Sequence, residues 1–353
     1  MTTTFATRLL RWFDQHGRKD LPWQLATEDG QRDAYRVWLS EVMLQQTQVA
    51  TVVGYFERFV SALPTLRDLA AADEDTVLAL WSGLGYYRRA RFLHRAAQLC
   101  VAQHDGELPR DYDALSALPG IGRSTAGAIL AQAHGLRFAI LDGNVKRVLT
   151  RYHGIHGHPG QSAVEKQLWQ HAEAHTPKTR VADYTQAIMD LGATVCVRSR
   201  PRCETCPLVS DCIAHRDALT AQLPSRKPSK RVPTRATVML ILRDAQGRVL
   251  LERRGPQGVW SGLWSLPEAT NPDTAWRLAQ QHAQIDDAQA LTPFTHVFSH
   301  YRLEIEPLLF DGATAQRGIA DNPQQRWCSA GELAALGLPA PVRSLLLQVN
   351  GAD

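Results

Sequence analysis

Leu118-Pro-Gly-Ile-Gly122, followed twenty residues later by Asp142 in Ala139-Ile-Leu-Asp-Gly-Asn144, is the stretch whose reading decides the fold. It lies between two patterns of helical period, 112–117 and 124–135, and so reads as a tight turn joining two helices. Glycines at 120 and 122 carry no Cβ, which lets backbone N–H groups approach an anion closely, and the N-terminus of the following helix adds a positive dipole end. That chemistry suits a phosphate backbone, although a plain tight turn uses the same residues. Asp142 follows a run of apolar residues and can cap the next helix, while Asn144 is placed to cap a helix starting at Val145.

Outward from this centre, apolar residues recur at three- and four-residue spacing from 7 to about 175, with Gly and Pro breaks between segments, so the N-terminal part is mostly α. A single long helix is expected over 35–55. Its face is centred on Val42, Val49 and Val53, with Glu41 at the edge and Gln45 and Gln48 on the same side as Glu41. Gln46 falls among Leu39, Met43, Ala50 and Val53 on that wheel, where a buried amide is costly without partners, so a groove with polar ligands is expected there. At 353 residues the chain exceeds one ordinary core, and 44% hydrophobic with 21% charged residues excludes a disordered or collagen-like chain. No apolar run is long enough to span a bilayer and the first residues form no signal-peptide core, so a cytoplasmic protein is expected.

The net charge of +4 says little, but 226–235 holds five cations, two prolines and no acid, which suits an extended basic linker. Beyond it, 236–243 and 248–253 flank a turn at 244–247 and read as a strand hairpin. A short helix over 276–283 and a strand over 301–310 complete an α+β unit. The expected organisation is therefore a helical region 1–225, a linker 226–235 and a second domain 236–353. Cys196, Cys203, Cys206 and Cys212 are spaced C-x6-C-x2-C-x5-C, enough to close one tetrahedral metal or cluster site. Zinc is the rival occupant, but zinc folds usually show two C-x2-C pairs separated by a longer loop. Cys100 and Cys328 lie far apart and read as buried or incidental thiols.

The hairpin 118–122 followed by Asp142 resembles the helix-hairpin-helix glycosylase superfamily, and Ser40-Glu-Val-Met-Leu-Gln-Gln-Thr-Gln48 resembles the opening helix of MutY-type adenine glycosylases. The fold implied is mainly α, a bilobal helix-hairpin-helix region with a cluster loop at 196–212, plus an α+β Nudix-like domain. By this resemblance Glu41 is the acid that protonates the departing adenine, with its pKa raised by an apolar pocket, and Asp142, kept ionised, stabilises the sugar cation beside Asn144. Trp23, Gln24 and Gln186 line the adenine pocket. Gln46, Leu84 and Tyr86, with Gly120, Gly122 and Ser124, contact duplex DNA around the flipped base.

The cysteine spacing matches the 4Fe-4S loop of endonuclease III-like glycosylases, which implies a 4Fe-4S cluster ordering Arg198, Arg200 and Arg202 as a phosphate-binding patch. Where those relatives carry a lysine that forms an imine with the sugar, this chain has Ser124, so monofunctional base release is expected. The alternative is a bifunctional glycosylase and lyase acting on oxidised pyrimidines. Ser124 can also serve only as a helix cap. Gly262-Leu-Trp-Ser-Leu-Pro-Glu268 resembles the first half of a Nudix box, but the glutamates of the second half are absent, so a binding module is expected instead of a pyrophosphatase. In the resembled family this domain reads 8-oxoguanine opposite the adenine, through the loop that here holds Phe298, Ser299 and His300. The partner implied is double-stranded DNA with an adenine opposite 8-oxoguanine or guanine, bound by a monomer.

Overall fold

The computed structural model describes residues 4–26, 30–227, 232–315 and 322–351. It divides the chain into two compact units. One is built from the chain up to Ala71 and from Phe92 to the linker, the other from Ala72–Arg91 and the C-terminal part. The first is helical throughout, as expected. Phe5–His16, Gly143–Tyr152, Ser162–His175 and Val181–Asp190 close on a core of Phe5, Leu9, Phe13, Ile140, Leu141, Val145, Leu149, Leu168, Ile188 and Leu191. Cys196 and Cys206 pack against its margin.

The hairpin appears between Tyr112–Ser116 and Arg123–His134. Its two glycines are exposed while Ile121 between them is 3% exposed, so the side chain anchors the turn and the glycine backbone faces outward. Gly120 holds φ +77° and a Cβ there would lie 2.9 Å from the Phe92 Cβ, two reasons for glycine at this position.

The long helix expected over 35–55 is two helices, Ala34–Leu44 and Val49–Ala62. The chain breaks at Gln46, which adopts φ 61° and is exposed. The burial problem anticipated for Gln46 therefore does not arise, because four consecutive polar residues, 45–48, leave the helix and reach solvent.

In the second unit, Thr234–Arg243 is the central strand. It pairs in parallel with Arg302–Asp311 over ten residues, Thr234 opposite Arg302 and Arg243 opposite Asp311. Its other side pairs antiparallel with Val249–Arg253 across the expected turn, and Val249–Arg253 pairs in turn with Gln325–Cys328. Gln289–Ala290 and Phe294–Val297 pair with the far edge of Arg302–Asp311. The expected helix at 276–283 starts earlier, as Pro272–His282, because the Asn271 side chain accepts the Thr274 N–H and caps it. It covers one face of the sheet around Val238, Leu240, Leu242, Leu250, Ala275, Ala279 and Phe310.

Residues 228–231 of the expected linker lie outside the described residues, and the first strand begins at Thr234, before the expected boundary at 236. Where one continuous helical region 1–225 was expected, 72–91 belongs instead to the second unit. The reason is specific bonding. The Tyr87 hydroxyl donates to the Leu338 carbonyl at 3.0 Å, the Trp264 indole N–H donates to Asp75 at 3.2 Å, and Arg253 pairs with Glu74 and Asp75. Among the described residues, no helix is long and apolar enough to cross a membrane.

Candidate active site

Glu41 sits in the last turn of Ala34–Leu44, which packs against Arg123–His134, and the Gln132 side-chain amide of that second helix donates to Glu41 Oε1 at 3.0 Å. Gln132 is itself 5% exposed and its carbonyl oxygen accepts from Arg32 at 3.1 Å. The sequence reading missed both residues. The available signal was a lone amide among buried small residues in Ala126–Ala133, where an unpartnered polar group would be costly. Glu41 keeps partial solvent access, yet its carboxyl is desolvated, and its pKa is pushed up to about 7, by burial first and by the charge of Asp142 second; the Gln132 bond pulls it the other way.

Asp142 is the N-cap of Gly143–Tyr152, its Oδ1 accepting the Val145 N–H at 2.8 Å, so the cap expected at Asn144 falls on Asp142. Asn144 lies inside the helix, where its amide donates to Asp142 Oδ2 at 3.2 Å and its carbonyl oxygen accepts from Arg147 at 2.8 Å. Burial raises the Asp142 pKa, against the expectation that this carboxyl simply stays ionised, while the Val145 N–H, the Asn144 amide and the Arg147 guanidinium oppose that rise. It is the ionised Asp142 that raises Glu41, so the arrangement favours a proton on Glu41 and charge on Asp142.

Ser124 is not the cap of its helix. The helix starts at Arg123 behind Gly122, and the Ser124 Oγ accepts the N–H of Leu141 at 2.9 Å. Three residues on, Gly127 faces the same segment, where an added Cβ would lie 2.5 Å from the Ala139 carbonyl oxygen. The hairpin helix thus meets the run before Asp142 at two points, neither of which the sequence reading used for that purpose.

The other expected contacts divide. Trp23 is 3% exposed and meets Phe56 edge-to-face at 5.3 Å, as a core residue does. The Gln24 carbonyl oxygen accepts the Leu21 N–H at 3.2 Å, while its amide nitrogen is buried without a partner among the described residues. The Gln186 amide donates to Asp190 at 2.8 Å, and Asp190 pairs with Arg18, so Gln186 is committed to that buried ion pair. Leu84 is 6% exposed and packs inward, leaving Tyr86, 50% exposed at φ 49°, as the side chain this segment presents to solvent. In the second unit Phe298 stacks on Tyr301 at 4.6 Å and lies 5.1 Å from Trp260, while Ser299 and His300 are exposed at the turn between Phe294–Val297 and Arg302–Asp311.

All four clustered cysteines are free thiols lining one apolar-walled cavity with Val148, Leu191 and Leu208. Each follows or opens a short turn: Cys196 ends Leu191–Val195, Cys203 opens Cys203–Thr205 and Cys206 ends it, and Cys212 ends Val209–Asp211. Burial, then the charges of Cys196 and Cys212, raises the Cys203 thiol. Arg151 donates to the Cys196 sulfur at 3.4 Å, a fixed charge-assisted bond to a sulfur ligand. This donor set fits a four-thiolate cluster. Arg198, Arg200 and Arg202 are exposed around it, and Cys100 and Cys328 are buried elsewhere.

Comparison with known proteins gives the same outline. The model of the HhH-GPD superfamily base excision DNA repair proteins matches residues 39–174, and that of the NUDIX domain matches 238–348. An adenine DNA glycosylase of Buchnera aphidicola (subsp. Acyrthosiphon pisum, strain APS) is 36% identical over 97% of this chain and 96% of its own length. That of Homo sapiens is 34% identical over 99% of this chain and 74% of its own length. Among solved structures, a thermostable thymine-DNA glycosylase is 26% identical with a TM-score of 0.54, covering 60% of this chain and 95% of that one.

Proposed function

The chain belongs to the adenine DNA glycosylase family, and we propose that it hydrolyses the N-glycosidic bond of adenine opposite 8-oxoguanine or guanine in duplex DNA, leaving an abasic site. The observation that carries this reading is the unequal carboxylate pair: Glu41 pushed up to about 7 beside a capped Asp142 whose charge does part of the pushing. Adenine leaves poorly until protonated, so an acid that still holds its proton near neutrality is what the step needs. Glu41 delivers that proton to the base, and the Gln132 bond fixes the direction in which its carboxyl points. Asp142, its oxygens held by Val145 and Asn144, faces the positive charge that develops on the sugar. Water then adds to the sugar and the base is released.

Ser124 supports monofunctional chemistry, since a hydroxyl forms no imine and this one is already bonded to the Leu141 N–H. Trp23, Gln24 and Gln186 remain our candidates for the adenine side, of which Gln24 alone has an unpartnered buried amide. Gln46 and Tyr86, both exposed, the outward backbone of Gly120 and Gly122, and the arginines of the 196–212 loop are assigned to DNA, and Leu84 to supporting Tyr86 from within. Phe298, Ser299 and His300 are assigned to the base opposite the adenine, Phe298 wedging and the other two bonding its edge. Cys196, Cys203, Cys206 and Cys212 would hold a 4Fe-4S cluster, which when bound supplies a structural core that orders the basic loop. The protein acts as a monomer.

The test is a labelled duplex holding one adenine opposite 8-oxoguanine, assayed with and without alkali for wild type, Glu41→Gln and Asp142→Asn. Breaks that need alkali and disappear in both variants are expected. Removal of oxidised pyrimidines with the adenine left in place, or full activity in Glu41→Gln, would overturn the substrate or the acid.

A further inference from the structure

A group of histidines stands apart from both carboxylates and from the cysteine loop. His153 follows the last turn of Gly143–Tyr152, and His171 and His175 lie four residues apart on Ser162–His175. Four-residue spacing on a helix puts two imidazoles on one face, one turn apart, the arrangement from which helical histidine pairs chelate a metal. One nitrogen from each of the three rings falls within 4.8 Å of the others, and the Nε2 atoms of His153 and His175 are 2.9 Å apart. A tetrahedral zinc site with Zn–N bonds of about 2.0–2.1 Å has ligand nitrogens roughly 3.3 Å apart, close to the His153–His175 pair, while His171, whose ring stacks on that of His153, turns out of the stack to aim a nitrogen at the same ion.

The rings are half-buried and held. The His171 ring lies 3.6 Å from that of His153 at 18°, Phe5 stacks on His175 at 4.1 Å, and Tyr152 meets His153 edge-on at 4.9 Å. No hydrogen bond engages His171 among the described residues. The short Nε2 to Nε2 contact requires one of its two nitrogens to be a lone-pair acceptor, so His153 and His175 are not both protonated there.

We propose that His153, His171 and His175 form a binding site for a first-row divalent ion, zinc being the probe that tests it, with water completing the coordination. Imidazole donors suit zinc, copper and nickel, whereas calcium and magnesium prefer oxygen. When the ion binds, the hydrogen between His153 and His175 moves to the Nδ1 of its own ring, so both Nε2 atoms donate lone pairs and no net proton is released. The ion then ties the C-terminal end of the helix that Asp142 caps to the last turn of its neighbour, clamping the frame on which that carboxylate stands.

The test uses the protein with its iron content verified as full, dialysed against zinc chloride and analysed for zinc and iron together. Wild type and His156→Gln, which alters an exposed histidine outside the group, are expected to retain one zinc per chain, and His171→Gln and His175→Gln to lose it with iron unchanged. Zinc is expected to raise the melting temperature of wild type and of neither of these two variants. X-ray absorption at the zinc edge of wild type is expected to show nitrogen and oxygen neighbours only, a result independent of whether the variants fold. A sulfur shell, no retained zinc in wild type, or equal uptake in the histidine variants would overturn the site.

Discussion

The Ser124 hydroxyl accepts the Leu141 N–H one residue before Asp142, and that backbone donor is partly buried. Removing the oxygen strands the donor at a cost of about 1–3 kcal/mol and frees the run that aims the carboxylate. Ser124→Ala is expected to lower the melting temperature and the single-turnover excision rate while leaving affinity for mismatched duplex unchanged, and Ser124→Thr to restore the rate. Equal losses of affinity and rate would assign Ser124 to DNA contact instead. Glu41 supplies a prediction of opposite sign. Its folded pKa of about 7 exceeds the ordinary 4.5, so the folded protein holds this proton more tightly than the unfolded chain. Wild-type stability from this group is therefore full below about 4.5 and is lost as pH rises through about 7, a difference of about 3 kcal/mol. Glu41→Gln, which keeps an acceptor for Gln132, is expected to be more stable than wild type at pH 8 and no more stable at pH 4.5 by thermal melting. Excision by wild type should fall above about pH 7 as the acid loses its proton. The motif made Glu41 legible in the sequence. Gln132 was less legible: a lone amide in an otherwise apolar run marks it as needing a partner, but that partner lies 91 residues away and nothing local names it.

The run 35–55 shows how an element can be misread while its residues are read correctly. Val42, Val49 and Val53 keep helical phase across the gap, and no Gly or Pro marks the break. Periodicity alone therefore joins Ala34–Leu44 to Val49–Ala62. What the pattern does not report is that Gln46 must adopt φ 61°, a left-handed conformation that carries a steric cost for a residue with a Cβ. Gln46→Gly is expected to raise stability by about 0.5–1 kcal/mol by removing that cost, while weakening binding to duplex DNA if the exposed amide contacts it; urea unfolding and a binding titration measure the two. The hairpin helix carries a steric constraint of another kind. An alanine at 127 would place its Cβ 2.5 Å from the Ala139 carbonyl oxygen, which is backbone and cannot rotate away. Gly127→Ala is expected to cost about 1–3 kcal/mol in unfolding and to lower excision by displacing the Asp142 segment. An unchanged rate would show that the segment's position is set from elsewhere.

Across the whole chain, what could be read from sequence is what is encoded within a few dozen residues: the hairpin with its aspartate, the cysteine spacing, the strand hairpin after the linker and the missing Nudix glutamates. What could not be read are pairings between distant stretches, and the largest of these concerns 72–91. Its helical pattern matches the rest of the N-terminal part, so composition gave no reason to separate it, yet it forms one unit with the C-terminal residues. Tyr87 stands at the join: its hydroxyl accepts the Gly83 N–H at 3.3 Å and donates to the Leu338 carbonyl 251 residues away. Ser82 also donates to that carbonyl, at 3.2 Å, and Arg343 donates to the Ser82 hydroxyl at 3.2 Å. Because these bonds cross between the two stretches, loosening one should loosen both together, as expected of a cooperative unit with its own opening free energy. Tyr87→Phe keeps the buried ring and removes only the hydroxyl, a loss of about 0.5–1.5 kcal/mol. Hydrogen exchange of the full-length variant is expected to accelerate in 72–91 and 336–343 alike, while 112–152, which holds the hairpin and Asp142, exchanges as in wild type. Acceleration confined to 72–91 would mean that the two stretches open separately and that this segment belongs with its sequence neighbours after all.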